Sequence, residues 1–193
     1  YNRNESLVQV GRIRGGSKIY MKDVTSFCDK TGIKPELELV YVHTKNGKKY
    51  AVATDAFRLI EWKITDDALI EFITDGFYNA KKWTEMCKAW NKKNQDLKSF
   101  SDAIKQNFAI TKQDYIYPDY VQIIPDITPE NIKDFNSSIC VRDKQFIDFI
   151  NAIPKDNFGR LKFWDIKICT KNGKEMIFYW DDTHKILLMP MEK

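Results

Sequence analysis

The chain is poor in the residues that most often carry chemistry. It holds two histidines, His43 and His184, and four cysteines, none in a CxxC pair. That spacing argues against a zinc site, and Cys28, Cys87, Cys140 and Cys169 are expected to be buried free thiols in a reducing compartment. Long hydrophobic runs are also lacking. No segment is apolar over the length a bilayer demands, and no charged segment leads into a secretory apolar stretch, so the expected localisation is cytoplasmic with no membrane partner. Glycine is scarce at 8 residues, and Gly15–Lys18 (GGSK) lacks the GxxxxGK[ST] spacing of a phosphate loop. No nucleophile–base pair emerges. The first residue is Tyr1, from which a missing upstream segment is expected.

What is present is a globular composition: 43% apolar residues, 13% aromatic, over 193 positions, enough for one large or two small domains. A net charge of +4 permits an anionic partner without requiring one. The sequence TKNGK occurs twice, at Thr44–Lys48 and Thr170–Lys174. Asn-Gly between β-rich runs predicts a two-residue hairpin turn, here joining Leu37–Thr44 to Tyr50–Ala53 and Leu161–Thr170 to Met176–Trp180. Each hairpin follows a predicted short amphipathic helix, Asp23–Lys30 and Asp143–Ile153. A βαββ-type unit is therefore expected at least twice, in an α+β fold with mostly antiparallel sheet.

The remaining elements follow from periodicity. Leu7–Ile13, Lys18–Met21, Ser138–Val141 and Lys185–Met191 are expected strands, and Leu37, Leu39 and Tyr41 are expected to point one way from theirs. The clearest helix is Asn79–Lys92, with Trp83, Met86, Cys87 and Trp90 on one face. A second is expected over Asp96–Phe108. Tyr115–Pro125 (YIYPDYVQIIP) is limited by Pro118 to an edge strand or loop. The boundaries drawn on this basis are a domain over 1–125 with two half-units, the second helix-rich, a linker over 126–135, and a half-unit over 136–193. An alternative treats the two TKNGK units as one domain with Thr65–Pro125 as a helical insertion.

Several residues invite sharper readings. Asp55, with no carboxylate or histidine near it in sequence, is expected to cap a turn. Arg58 suits an anion or a pairing with a neighbouring carboxylate such as Glu61. Asp181, Asp182 and His184 have the composition of a metal cluster but fall where a turn is expected. Tyr115, Tyr117 and Tyr120 suit base stacking or packing on a sheet.

Three separated stretches resemble one family, the bacterial DNA polymerase III beta-subunit sliding clamps. Ala53–Ile60 (ATDAFRLI) is similar to the family's ATDGHRLA, Tyr117–Pro125 (YPDYVQIIP) to FPDYRRVLP, and Leu188–Met191 (LMPM) to VMPM. The resemblance implies a DNA-clamp-like fold of repeated βαβββ units, antiparallel sheets on one side and helices on the other. It implies a non-catalytic processivity factor in DNA replication that tethers polymerases or repair proteins to DNA through an apolar peptide-binding groove. Carried over by motif, that groove uses Leu37, Thr54, Ala56, Phe57, Arg58, Leu59, Pro118, Ile123, Leu187, Leu188, Met189, Pro190 and Met191. Implied partners are double-stranded DNA, bound without sequence preference, a protein carrying a clamp-binding peptide, and further copies of the chain in a ring. The DNA-binding candidates are Lys81, Lys88 and Lys92, followed by Lys22, Lys30, Lys98, Lys105 and Lys144, although a solvated helix face explains lysines equally well. The chain is short for a three-domain clamp, which suggests a phage or mobile-element protein. The alternative role is a clamp-derived interaction module or decoy that binds such peptides without encircling DNA. A nuclease or nucleotide-handling enzyme of unrelated fold is a third reading. Departures from the motifs are Ala56 and Phe57 for Gly and His, and Gln122 for Arg.

Overall fold

The computed structural model describes residues 20–91, 115–125, 132–133, 140–156, 159–161, 166–171 and 174–190. The expected strands Leu7–Ile13 and most of Lys18–Met21, the helix Asp96–Phe108 with Lys98 and Lys105, and Lys92 and Met191 lie outside them.

Asn46 and Gly47 adopt φ of 51° and 71°, the left-handed pair that a type I′ turn requires, and asparagine and glycine tolerate it best. The turn joins β1 (Leu39–Lys45) to β2 (Lys48–Thr54), paired antiparallel with Lys45 opposite Lys48. A tight bend at Asp55–Phe57 then leads into β3 (Arg58–Ile64). After a one-and-a-half-turn helix, α1 (Asp67–Phe72), β4 (Gly76–Asn79) pairs with β1. Helix α2 (Ala80–Asn91) follows, and its Trp83, Met86, Cys87 and Trp90 are all buried, as their spacing requires. Later come β5 (Ile132–Lys133), α3 (Asp143–Ala152), β6 (Ile166–Lys171), β7 (Lys174–Trp180) and β8 (His184–Leu188). The β6–β7 hairpin has Lys171 opposite Lys174, leaving a two-residue connection as in the first copy.

The strands form one eight-stranded sheet in the order β4-β1-β2-β3-β8-β7-β6-β5, antiparallel throughout. The order is palindromic in character: each TKNGK hairpin lies inward of a short edge strand, and β3 meets β8 at the centre. The sheet therefore crosses the boundary drawn at residues 126–135, and within that span Ile132 and Lys133 form β5 against Cys169 and Ile168 rather than linker. The pairing of Arg58 through Trp62 with His184 through Leu188 draws both halves into one layer.

The two sheet faces are covered differently. On one, Val40, Val42, Ala51, Ala53, Ile60, Trp62, Ile64, Ile186 and Leu188 pack beneath α2, α3 and the 3-10 turn Thr25–Phe27. On the other, Val52, Leu59, Met176, Phe178 and Leu187 pack with Tyr120, and Tyr117 and Ile124 lie against them. An α+β architecture with helices on one side of an antiparallel sheet is thus present.

Several local expectations are corrected. Asp23–Lys30 forms only the single 3-10 turn Thr25–Phe27. Asp23 Oδ1 accepts from Thr25 N, and the Ser26 carbonyl accepts from Arg58 Nη2 at 3.0 Å, so side chains take groups that a longer helix would use. Leu37 belongs to a 3-10 turn, Pro35–Glu38, ahead of the strand, and Val40 rather than Tyr41 is fully buried. Cys140 and Val141 form no strand, and Cys140 is exposed while Cys28, Cys87 and Cys169 are buried. Tyr115–Pro125, by contrast, takes one of its two expected forms, a loop, with one 3-10 turn, Tyr120–Ile123.

Candidate functional site

Thr54, Asp55 and Arg58 build the bend that ends β2. Thr54 Oγ1 donates to the Arg58 carbonyl at 2.6 Å and accepts from Ala56 N at 3.2 Å. Asp55 Oδ1 accepts from Phe57 N and Arg58 N, the turn-capping role expected of it. Ala56 takes φ of 72°, where the family motif has glycine. This left-handed backbone disfavours a side chain at Cβ, and the bend is held in it by the Thr54 and Asp55 hydrogen bonds.

Arg58 is 6% exposed and fully engaged. Its Nε and Nη2 donate to Asp55 Oδ2 at 2.9 and 2.7 Å, Nη1 to Asp148 Oδ2 of α3 at 2.6 Å, and Nη2 to Ser26 O. Its guanidinium carbon lies 5.1 Å from the Phe27 ring centroid. The neighbouring carboxylate that Arg58 pairs with is Asp55 rather than Glu61, because residues three apart on a strand point to opposite faces. Burial would raise the Asp148 pKa, but hydrogen bonds from Lys144 and Arg58 and the charges of both cations outweigh it and hold the carboxyl below its ordinary value. Arg58 is thus a strut between the bend, the Thr25–Phe27 turn and α3.

The bend and the chain's later portion converge. Arg58 is opposite Leu188 in the β3–β8 ladder, and Met189 N donates to Phe57 O at 2.8 Å. Beside this junction is an open cavity of about 520 Å3, lined by Ala56, Phe57, Met189 and Pro190 together with Arg142, Gln145, Lys174 and Glu175. Phe57 is 50% exposed there. Of the thirteen groove residues carried over by motif, these four line the cavity. Arg58 and Leu188, partners in the β3–β8 ladder, are buried on the helix-covered side of the sheet, whereas Thr54, the ladder partner of Leu59, shares the opposite side with Leu59 and Leu187. Leu37, Pro118 and Ile123 do not line it; Tyr117 and Tyr120, which flank Pro118, pack over Leu59 and Leu187. Motif transfer missed Arg142, Gln145, Lys174 and Glu175. The pairing of β8 with both β3 and β7 brings them in, so the second TKNGK turn was the available signal.

On the other face, Glu61, also 6% exposed, accepts from Tyr120 Oη at 2.8 Å and from Lys185 Nζ at 2.7 Å. Tyr120 Oη also meets His43 Nε2 at 2.6 Å. Burial, then the nearby Glu61 charge, pushes the Tyr120 pKa far upward, and burial lowers that of His43. A second cavity of about 360 Å3 adjoins this network, lined by residues including Lys45, Tyr50, Glu61 and Lys185. Tyr117 stacks on Tyr41 at 4.8 Å and Tyr41 on His43 at 5.2 Å, so these tyrosines pack on the sheet. Asp181 accepts from Thr183 N, His184 N and Tyr179 Oη, which makes it the cap of the β7–β8 turn. Among the described residues no group of three histidines, cysteines or carboxylates is placed to hold a metal. No helix of the described residues is long and apolar enough to cross a membrane.

The lysine candidates separate. Lys81 and Lys88 are exposed on α2, and Lys30 and Lys81 line one shallow cavity of about 470 Å3 at the start of that helix, together with Asp23, Thr25, Ser26 and Thr84. Lys144 is exposed and pairs with Asp148. Lys22 is withdrawn: its Nζ donates to Ala152 O at 2.7 Å, and burial lowers its pKa.

No family model matches the sequence, and no curated protein matches it. Among solved structures, the DNA polymerase sliding clamp from Bacillus subtilis aligns with 13% identity and a TM-score of 0.46, covering 89% of this chain and 60% of that one. The DNA polymerase III beta subunit from Thermotoga maritima aligns with 12% identity and a TM-score of 0.46, over 89% and 62%. The beta chain from Streptococcus pneumoniae aligns with 16% identity and a TM-score of 0.33, over 96% and 53%. The chain spans about three-fifths of the first two clamps' length, and both alignments take in 89% of its own.

Proposed function

We propose that this protein is a non-catalytic, clamp-like tether that captures a short linear peptide of a DNA replication or repair protein in the groove beside Phe57 and Met189. The observation that carries this reading is the junction itself. Phe57 and Met189, 132 residues apart in the chain, border one open trough together with Ala56 and Pro190. An apolar cleft with a few polar rim groups suits an aromatic or aliphatic anchor. Methionine adds a side chain that repacks around different anchors. The groove is shallower than motif transfer implies, since Leu188 serves the core on the helix side of the sheet and Leu59 and Leu187 face the opposite side.

The test is titration of a fluorescein-labelled peptide ending in an amidated Leu-Phe anchor, followed by anisotropy. Phe57→Asp and Met189→Asp, both at the groove surface, should each abolish binding while the circular dichroism spectrum and melting temperature stay near wild type. Unchanged affinity in both variants overturns the assignment. For the DNA side of the proposal, Lys30, Lys81 and Lys88 supply phosphate contacts on the helix face. Duplex binding should weaken with added salt, and Lys81→Gln with Lys88→Gln should reduce the slope of log affinity against log salt by about 2. A slope unaltered by the double substitution removes these lysines from the interface.

A further inference from the structure

The positive charge of this chain is concentrated in its sheet rather than in its helices. Strands β1 to β8 hold ten lysines and arginines against two carboxylates, a larger excess than the whole chain's net charge of +4. Helices α1 to α3 hold four cations against five carboxylates. Alternation along the strands sends Lys45, Lys48, Lys63 and Lys185 to the face that carries Tyr50 and Trp180, away from the helices. The register gathers them: Lys45 is opposite Lys48, Lys63 is opposite Tyr50, and Lys185 has Glu61 on one side and Trp180 on the other. Glu61 neutralises Lys185, whereas Lys45, Lys48 and Lys63 have no carboxylate partner among the described residues. Like charges directly across a hairpin repel, and an anion seated beside them relieves that repulsion. The cavity of about 360 Å3 opens in this same patch, with Tyr50, Ile124 and Pro125 giving it ring and aliphatic walls and Lys45 and Lys185 also lining it.

We infer that this sheet face binds a single-stranded nucleic acid, with an unstacked base in the cavity against Tyr50 and neighbouring phosphates on Lys45, Lys48 and Lys63. Lysines that track a backbone beside an aromatic ring are the two ingredients of sequence-tolerant single-strand binding. A second ring is at hand in Trp180, which is partly exposed and stacks on Phe178 at 5.3 Å. A duplex keeps its bases stacked inside and would meet the lysines alone, leaving the cavity unfilled. An acidic peptide would match the charge but supplies no flat ring beside each anionic group. The patch shares no lining residue with the Phe57–Met189 groove and lies across the sheet from Lys81 and Lys88, so the inference rests on neither reading above.

The test is the anisotropy of a fluorescein-labelled oligothymidylate of about 12 nucleotides, with an oligouridylate of equal length to separate DNA from RNA as the source. Wild-type protein should bind with a log affinity that falls linearly against log salt. Lys45→Gln, Lys48→Gln and Lys63→Gln combined should reduce that slope by about 2, since each single-strand phosphate contact contributes about 0.7. Tyr50→Leu should weaken binding about fivefold or more while leaving the slope as in wild type, because stacking releases no counterions. Circular dichroism of each variant checks that the fold is retained. A slope that the triple substitution leaves intact overturns the inference, as does a slope lowered instead by Lys81→Gln with Lys88→Gln, which would put the strand on the helix face. Unlabelled duplex or polyaspartate that displaces the oligonucleotide as well as unlabelled single strand does also overturns it. Absence of binding at about 50 mM salt removes this surface and leaves the peptide groove standing.

Discussion

Arg58 and Glu61 lie three residues apart on β3, are equally buried, and face opposite sides of the sheet. Arg58 bridges two carboxylates and a backbone carbonyl and thereby pins α3 and the Thr25–Phe27 turn to the bend. Glu61 accepts from one hydroxyl and one half-exposed lysine and thereby pins the Tyr115–Pro125 loop. The contrast teaches how a sheet recruits its two covers. The helix side needs only one charged strut, because α2 and α3 supply large apolar contacts; the loop side has little apolar area of its own and depends on a hydroxyl, a histidine and stacked rings.

Breaking the strut should cost most. Arg58→Ala leaves Asp55 and Asp148 facing each other without their shared cation, and should destabilise by about 3–5 kcal/mol, read from urea unfolding midpoints. A loss under about 1 kcal/mol would mean that the helix layer holds without it. On the other face, Tyr120→Phe removes the hydroxyl that links His43 to Glu61 and should cost about 1–3 kcal/mol, because Glu61 loses a hydrogen-bond donor while remaining buried. Were it to cost as much as Arg58→Ala, the two faces would not differ in the way described.

Acid should act on the helix face. Asp148 has a folded pKa below its unfolded value, so the folded state binds fewer protons than the unfolded one. The stabilisation is complete above the unfolded pKa of about 4 and is lost as pH falls through the folded value. The unfolding midpoint should therefore drop between about pH 5 and pH 2, and Asp148→Asn should lower it at pH 6 while making the acid slope shallower. A slope identical to wild type would place the acid sensitivity elsewhere, with Asp181, whose carboxyl is likewise held low, as the comparison. The smallest effect has the opposite sign. Ala56→Gly relieves the left-handed backbone at the bend and should stabilise by about 0.5 kcal/mol, the steric relief exceeding the added freedom of the unfolded chain. A lower melting temperature would show that Ala56 is not strained.

The elements legible in the sequence were those fixed by local chemistry. Asn46-Gly47 marked its turn because few residue pairs accept positive φ twice, and Trp83, Met86, Cys87 and Trp90 marked α2 by spacing alone. The pairing of β3 with β8 was not legible, since nothing local to Arg58 encodes its opposition to Leu188. The Asp148 partner of Arg58 was missed for that reason, and with it the wall of the groove supplied by Arg142 and Gln145. Conversely, Leu59 and Leu187 were assigned to the groove because a motif gives positions along a chain without the alternation that sends neighbouring strand residues to opposite faces.

The central seam has a consequence for how the molecule comes into being. Lys185 meets Glu61 across 124 residues of chain. Until the ribosome has released residue 188, β3 has one open edge lined by Leu59, Ile60 and Trp62, a hydrophobic template for any other extended strand. Such long-range closure is slow and leaves that edge exposed while it waits. Synthesis of the first half alone should therefore yield aggregates rather than a smaller folded domain.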